Sequence, residues 1–283
     1  IQSPATLTDY FTTGSYDNYP VVFVDGVATA TLTDLTVDGA NQGDDNYRFV
    51  GVAFWNAGGV ITNAEVLNVM NSTFSGAQHG VGVYSYNDTA GPYAITMTDV
   101  VVDEYQKTGV ALSGDGLTVD LTRVIAYGQG DTDVTAQNGI QIGWGAGGTL
   151  TDCEVHGNSW LGDTWTASGF LVYLAGNVDI DGGLCDGNQT SVYFEDCTGS
   201  FDNGTVQNPI WDALYGYGTG AKRGGESPRR MAMPFDEGLA APKERADGSV
   251  TCTGSTFIGV GRTDSWGPSA MADGGSAELT LVD

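Results

Sequence analysis

The first two-thirds of the chain repeats itself in two alternating phrases. In one, a small residue precedes an apolar alternation: Gly51-Val52-Ala53-Phe54, Gly80-Val81-Gly82-Val83, Gly109-Val110-Ala111-Leu112, Gly139-Ile140-Gln141-Ile142, Gly169-Phe170-Leu171-Val172 and Ser191-Val192-Tyr193-Phe194. Their starts advance by 29, 29, 30, 30 and 22 residues. In the other, an apolar residue is usually followed by Thr and then Asp or Asn, with a further apolar residue three positions on. Its copies begin Leu32-Thr33-Asp34, Ile61-Thr62-Asn63, Met97-Thr98-Asp99, Leu121-Thr122-Arg123, Leu150-Thr151-Asp152, Ile180-Asp181-Gly182 and Phe201-Asp202-Asn203. Two interleaved phrases at one period specify a solenoid.

The apolar alternation has period two and is bounded by Gly, Asn, Asp and Ser, and no stretch sustains a helical stripe. Helix-containing repeats of similar period are thereby excluded, which leaves coils of short strands stacked at about 4.8 Å. Parity points Val52/Phe54, Val81/Val83, Val110/Leu112, Ile140/Ile142, Phe170/Val172 and Val192/Phe194 inward. The pattern resembles the right-handed parallel β-helix proteins of the pectin-lyase-like class over roughly residues 20 to 215. The resemblance implies an all-β, single-stranded right-handed β-helix of 22–30 residues per coil. It implies no activity, because the phrases carry architecture and not chemistry.

The repeat divides the chain into residues 1–20, a cap or partner strand, and 21–215, the regular coils; a basic irregular insertion, 216–250, and one or more final coils, 251–283, follow. Six of the ten basic residues lie in the insertion, among them Lys222, Arg223, Arg229 and Arg230, which are expected to contact an acidic surface. The uncovered strand edges of a solenoid invite end-to-end or lateral pairing with identical protomers.

Ten Lys and Arg stand against 35 Asp and Glu, a formal charge of -25. Such a chain repels nucleic acid and anionic membrane surfaces and suits high salt. No apolar run reaches the length of a membrane span. The chain begins at Ile1, which either a processed N-terminus or a trimmed chain explains; the processed N-terminus goes with an expected extracellular or cell-surface location. Cys153, Cys185, Cys197 and Cys252 show no C-x-x-C spacing, and an exported chain favours at least one disulfide among them. Sequons stand at Asn71, Asn87, Asn188 and Asn203. The acidic stretch holding Asp38, Asp44 and Asp45 is a weak calcium site without EF-hand spacing; no other cofactor is indicated.

If Val52 and Phe54 point inward, the outward columns become Ala53, Gly82, Ala111, Gln141, Leu171, Tyr193 and Trp55, Tyr84, Ser113, Gly143, Tyr173, Glu195. Tyr86, Asp115 and Trp144 lie just beyond the strand ends. Aromatic rings take sugar faces and carboxylates accept sugar hydroxyls, so this face is the candidate glycan or protomer contact. The leading reading is a secreted or surface β-solenoid with a structural or adhesive role. A polysaccharide lyase or glycoside hydrolase working in the same groove is the alternative, and a viral tailspike-like receptor-binding module a third. Against catalysis stands the scarcity of bases: the coils offer His79, Lys107, Arg123 and His156. Asp115 and Glu195 are three coils apart, beyond the span of a glycosidase pair.

Overall fold

In the computed structural model, which describes residues 1–89, 91–162, 164–218, 249–258, 270–273 and 278–282, the chain winds into a right-handed parallel β-helix. Each regular coil contributes one strand to a ten-stranded sheet and a bent stretch to a thirteen-stranded one. Val22, Val52, Val83, Val110, Ile140, Phe170, Val192 and Leu214 stack in a single column, so successive coils hold 30, 31, 27, 30, 30, 22 and 22 residues. Parallel strands buried on both faces require this continuous apolar interior.

The register corrects one alignment. Val83, not Val81, pairs with Val52, and Val81 pairs with Val50. Val81 therefore leaves the core column and packs on the outward side with Val50, Ala53 and Tyr84. The glycine of the first phrase is steric in origin. A Cβ on Gly51 would lie 2.5 Å from the Gly82 carbonyl oxygen and 2.6 Å from the Val66 side chain. The same holds one coil at a time: 2.6 Å from Gly82 to the Gly109 carbonyl, then 2.7 Å from Gly109 to Gly139 and 2.7 Å from Gly139 to Gly169. The corner entering the strand passes too close to the next coil for any side chain.

The second phrase is a bend. Its third residue takes the left-handed conformation at Asp34 (φ 53), Asn63 (φ 49), Asp99 (φ 55), Arg123 (φ 52), Asp152 (φ 50), Gly182 (φ 74) and Asn203 (φ 55). Asp, Asn and Gly enter that region most readily, which is why they recur there. The apolar residues on either side of the bend, such as Ile61 and Val66 or Leu150 and Val155, both reach the core. At the N-terminal end Phe11–Thr13 pairs antiparallel with Tyr16–Asp25, and Gln2 bridges to Asp38. The basic residues Lys222, Arg223, Arg229 and Arg230 lie outside the described residues.

All four cysteines are buried free thiols, so the expected disulfide does not form. The reason is columnar. Cys185 stacks between Val155 and Val206, and Cys252 pairs with Leu281. Cys153 meets Gly183 on the next coil, and Cys197 precedes Thr198, which pairs with Asn177. No two share a column. Two of the sequons are also closed: Asn188 is fully buried and donates to the Val155 carbonyl at 2.9 Å, and Asn87 is 2% exposed.

Candidate functional site

The outward face of the ten-stranded sheet carries the aromatic residues that parity placed there, in shifted columns. Tyr84 stands between Ala53 and Ala111, and Tyr86 between Trp55 and Ser113. Gln141, Leu171, Tyr193 and Tyr215 continue the first column, and Gly143, Tyr173, Glu195 and Tyr217 the second.

Much of this face is closed. Tyr84 and Tyr193 are fully buried, Tyr86 is 2% exposed and Glu195 7%. Phe11 seats over Phe23, Trp55 and Tyr84 with ring centroids 5.5, 6.1 and 5.9 Å away, so the chain's own N-terminal segment occupies one end. At the other end Tyr193 and Tyr215, on neighbouring coils, stack at 4.9 Å. Glu195 accepts a hydrogen bond from the Tyr193 hydroxyl at 2.8 Å. Tyr84, Tyr86, Tyr193 and Glu195 are thus shielded from an outside ligand.

What stays accessible is the rim where the strands end. Trp55, Trp144 and Tyr173 are half-buried, and Asp115 is exposed. Trp144 meets Tyr173 edge-on, centroids 5.9 Å apart at 71°. A Cβ on Gly145, the residue after Trp144, would lie 3.1 Å from the Asp115 Cα, so the carboxylate-bearing turn packs directly beside the ring pair. The indole N–H groups of Trp55 and Trp144 are shielded and have no hydrogen-bond partner among the described residues. Packing alone holds these rings.

The bases are committed elsewhere. His79 accepts the Phe49 amide at Nδ1 (3.4 Å) and bonds the Asn71 side-chain oxygen through Nε2 (2.8 Å), which fixes the neutral tautomer with the proton on Nε2. Burial lowers its pKa. Lys107 is 1% exposed, and burial lowers its pKa to about 7. Arg123 and His156 stand on the other sheet, where His156 bonds Glu154 at 3.0 Å and stacks on Tyr127 at 4.8 Å.

The weak calcium site does not assemble. Asp38 accepts from the Ala40 amide at 2.8 Å and from Asn68 at 2.9 Å, while Asp44 accepts from the Ser72 amide at 2.9 Å and from its hydroxyl. These two carboxylates serve separate turns and Asp45 is exposed; no cluster of three metal-ligating side chains forms among the described residues.

No family model matches the chain, and no curated protein does. Two solved structures align with most of it. One is the periplasmic alginate epimerase AlgG, at 12% identity and TM-score 0.41, covering 96% of this chain and 64% of that one. The other is the A-module of the mannuronan C-5 epimerase AlgE4 of Azotobacter vinelandii, at 14% identity and TM-score 0.32, covering 93% of this chain and 80% of that one. The chain spans under two-thirds of the length of the first. Likeness at this level carries no argument about chemistry, and the fold rests on the strand pairing itself.

Two features of the site lay outside what the residue pattern discloses. Burial of one end of the face depends on Phe11, which is remote in sequence from Trp55 and Tyr84. The committed state of Lys107 depends on a carbonyl 29 residues away.

Proposed function

We propose that the chain is an exported β-solenoid with a structural or adhesive role, which holds a polysaccharide at the rim formed by Trp55, Asp115, Trp144 and Tyr173. The observation that carries this reading is the half-open, edge-on pair of Trp144 and Tyr173 beside the exposed Asp115. A pyranose ring lays its C–H face on an aromatic ring, and a carboxylate accepts its hydroxyls. A rigid solenoid presents both without an ordering cost, which is how a small contact reaches useful affinity.

The test is calorimetric titration of the full chain with a panel of soluble polysaccharides, alongside the Trp144→Ala and Trp144→Phe variants. Binding that falls at least tenfold in Trp144→Ala and survives in Trp144→Phe supports the reading, since Phe keeps the ring and loses no hydrogen bond. Equal binding by all three proteins, or none by any, refutes it.

A further inference from the structure

The bends of the thirteen-stranded sheet line an open groove along the solenoid axis. One stretch, about 350 Å³, runs from Asp34 past Glu65 to Asp99 and Val101. A second, about 720 Å³, starts from the same Asp99 and Val101 and continues past Arg123, Ile125 and Glu154 to Leu184 and Thr205. The shared residues make them one trough crossing seven successive bends, six steps of about 4.8 Å or about 29 Å in all.

Arg123 is the anomaly in this trough. Its neighbours in the bend column are Asp99 and Asp152, and it holds the same left-handed backbone at φ 52. For a long side chain that conformation is disfavoured relative to the ordinary regions, because Cβ crowds the following carbonyl oxygen. A residue kept in such a conformation where Asn would relieve it marks a position with another use. The geometry suggests the use. Nε and Nη2 of Arg123 donate to the two carboxylate oxygens of Asp99 at 2.6 and 2.8 Å. Nη1 has no partner among the described residues, and the side chain is 53% exposed. Asp99 therefore holds the guanidinium side-on and leaves one donor edge open to the trough. Beside it Val101, Ile125 and Leu184 form an apolar strip, flanked by the carboxylate of Glu154.

We infer that this trough is a second polysaccharide site, distinct from the rim, which takes a linear uncharged glycan lying along the axis. The apolar strip meets the C–H faces of the sugars, Asp152 and Glu154 accept hydroxyls, and Nη1 of Arg123 donates to a hydroxyl or ring oxygen. A uronate chain meets a trough carrying Glu65, Asp99, Asp152 and Glu154 on a chain of charge -25, and is repelled. A cationic chain would compete with Arg123 for Asp99.

The experiment is titration of the full chain carrying Trp144→Ala, which disables the rim, with cellohexaose, laminarihexaose, an alginate hexamer and a chitosan hexamer, at low salt and at 1 M NaCl. Arg123→Asn and Ile125→Ser are then added singly. Arg123→Asn restores the residue type of the bend column, so a purely structural role predicts an unchanged or higher melting temperature with binding unaltered. The inference expects a neutral hexaose to bind with an affinity that salt changes less than twofold. It expects Arg123→Asn to weaken that binding by about tenfold, about 1.4 kcal/mol, without a loss of melting temperature, and Ile125→Ser to do likewise. Failure of both neutral hexaoses to bind, indifference to Arg123→Asn, or binding confined to chitosan and lost in salt overturns it. Because the rim is disabled throughout, none of these results bears on the rim proposal.

Discussion

Nζ of Lys107 donates a hydrogen bond to the Ala136 carbonyl at 2.7 Å, on a side chain that is 1% exposed. One hydrogen bond does not replace the hydration of an ammonium, so burial drives its pKa down to about 7. The unfolded chain keeps a lysine pKa near 10.4. Between those values the unfolded state binds a proton that the folded state lacks, so stability rises with pH across that window; below about pH 7 the folded protein carries the full penalty, on the order of 4–5 kcal/mol. Lys107→Met removes the penalty and forfeits one hydrogen bond worth about 1 kcal/mol. The variant is expected to melt higher than the parent at pH 7, with the gap closing towards pH 10. A gap that is absent, or independent of pH, would show that Lys107 titrates normally.

Gly139 is held by backbone on one side and core on the other. Its Cβ would stand 2.7 Å from the Gly169 carbonyl oxygen and 2.9 Å from the Val155 side chain. Neither can retreat without opening a ladder, so Gly139→Ala is expected to cost about 2–3 kcal/mol. Gly187 is the control, with φ +65 and nothing within 4 Å of a Cβ. There Asn accepts the left-handed backbone, and Gly187→Asn is expected to stay within about 0.5 kcal/mol of the parent. Urea denaturation of the two variants measures the contrast.

The same glycines show how far the sequence could be read. The bend phrase was legible because a left-handed residue restricts its position to Asp, Asn or Gly, and only Arg123 departs from that set. The first phrase was legible as a phrase but not in register. Gly80 and Gly82 both precede an apolar residue and both are closely packed between coils, with Cβ positions 2.5 Å from the Val69 carbonyl oxygen and 2.3 Å from the Val102 side chain; only the pairing of Val52 with Val83 aligns Gly82 with Gly51. That pairing is between coils and leaves no local mark. Parity sent Tyr84 and Tyr193 outward, yet both rings are buried, against neighbours that include Phe11 and Tyr215, and parity does not address what covers an outward ring. Arg123 departs from the bend phrase, but its ion-pair partner Asp99 emerges only once the coils are stacked.

The four thiols should be inert in the folded protein. Burial pushes Cys153 up to about 12 and raises Cys185, Cys197 and Cys252 as well, so thiolate is scarce near neutral pH. An aromatic disulfide reagent at pH 8 is expected to label none of them natively and all four in denaturant. Reductant should leave both the intact mass and the melting temperature unchanged. A two-dalton mass increase on reduction would reveal a bridge that the stacking of the coils does not allow.

The rim and the trough lie on different sheets and share no residue, so their contributions to binding should be independent. On a polysaccharide too short to span both, Trp144→Ala and Arg123→Asn should each remove one of two binding events and leave the other's affinity unchanged. On a long polymer that reaches both faces of one solenoid, tethering makes the second event intramolecular, and either substitution alone should cost more than its share. Calorimetry with a hexamer and with the parent polymer separates the cases. Additive losses with the hexamer and more than additive losses with the polymer are expected. Strong coupling with the hexamer would instead mean that Trp144 and Arg123 touch one ligand, and that the rim and the trough are one site.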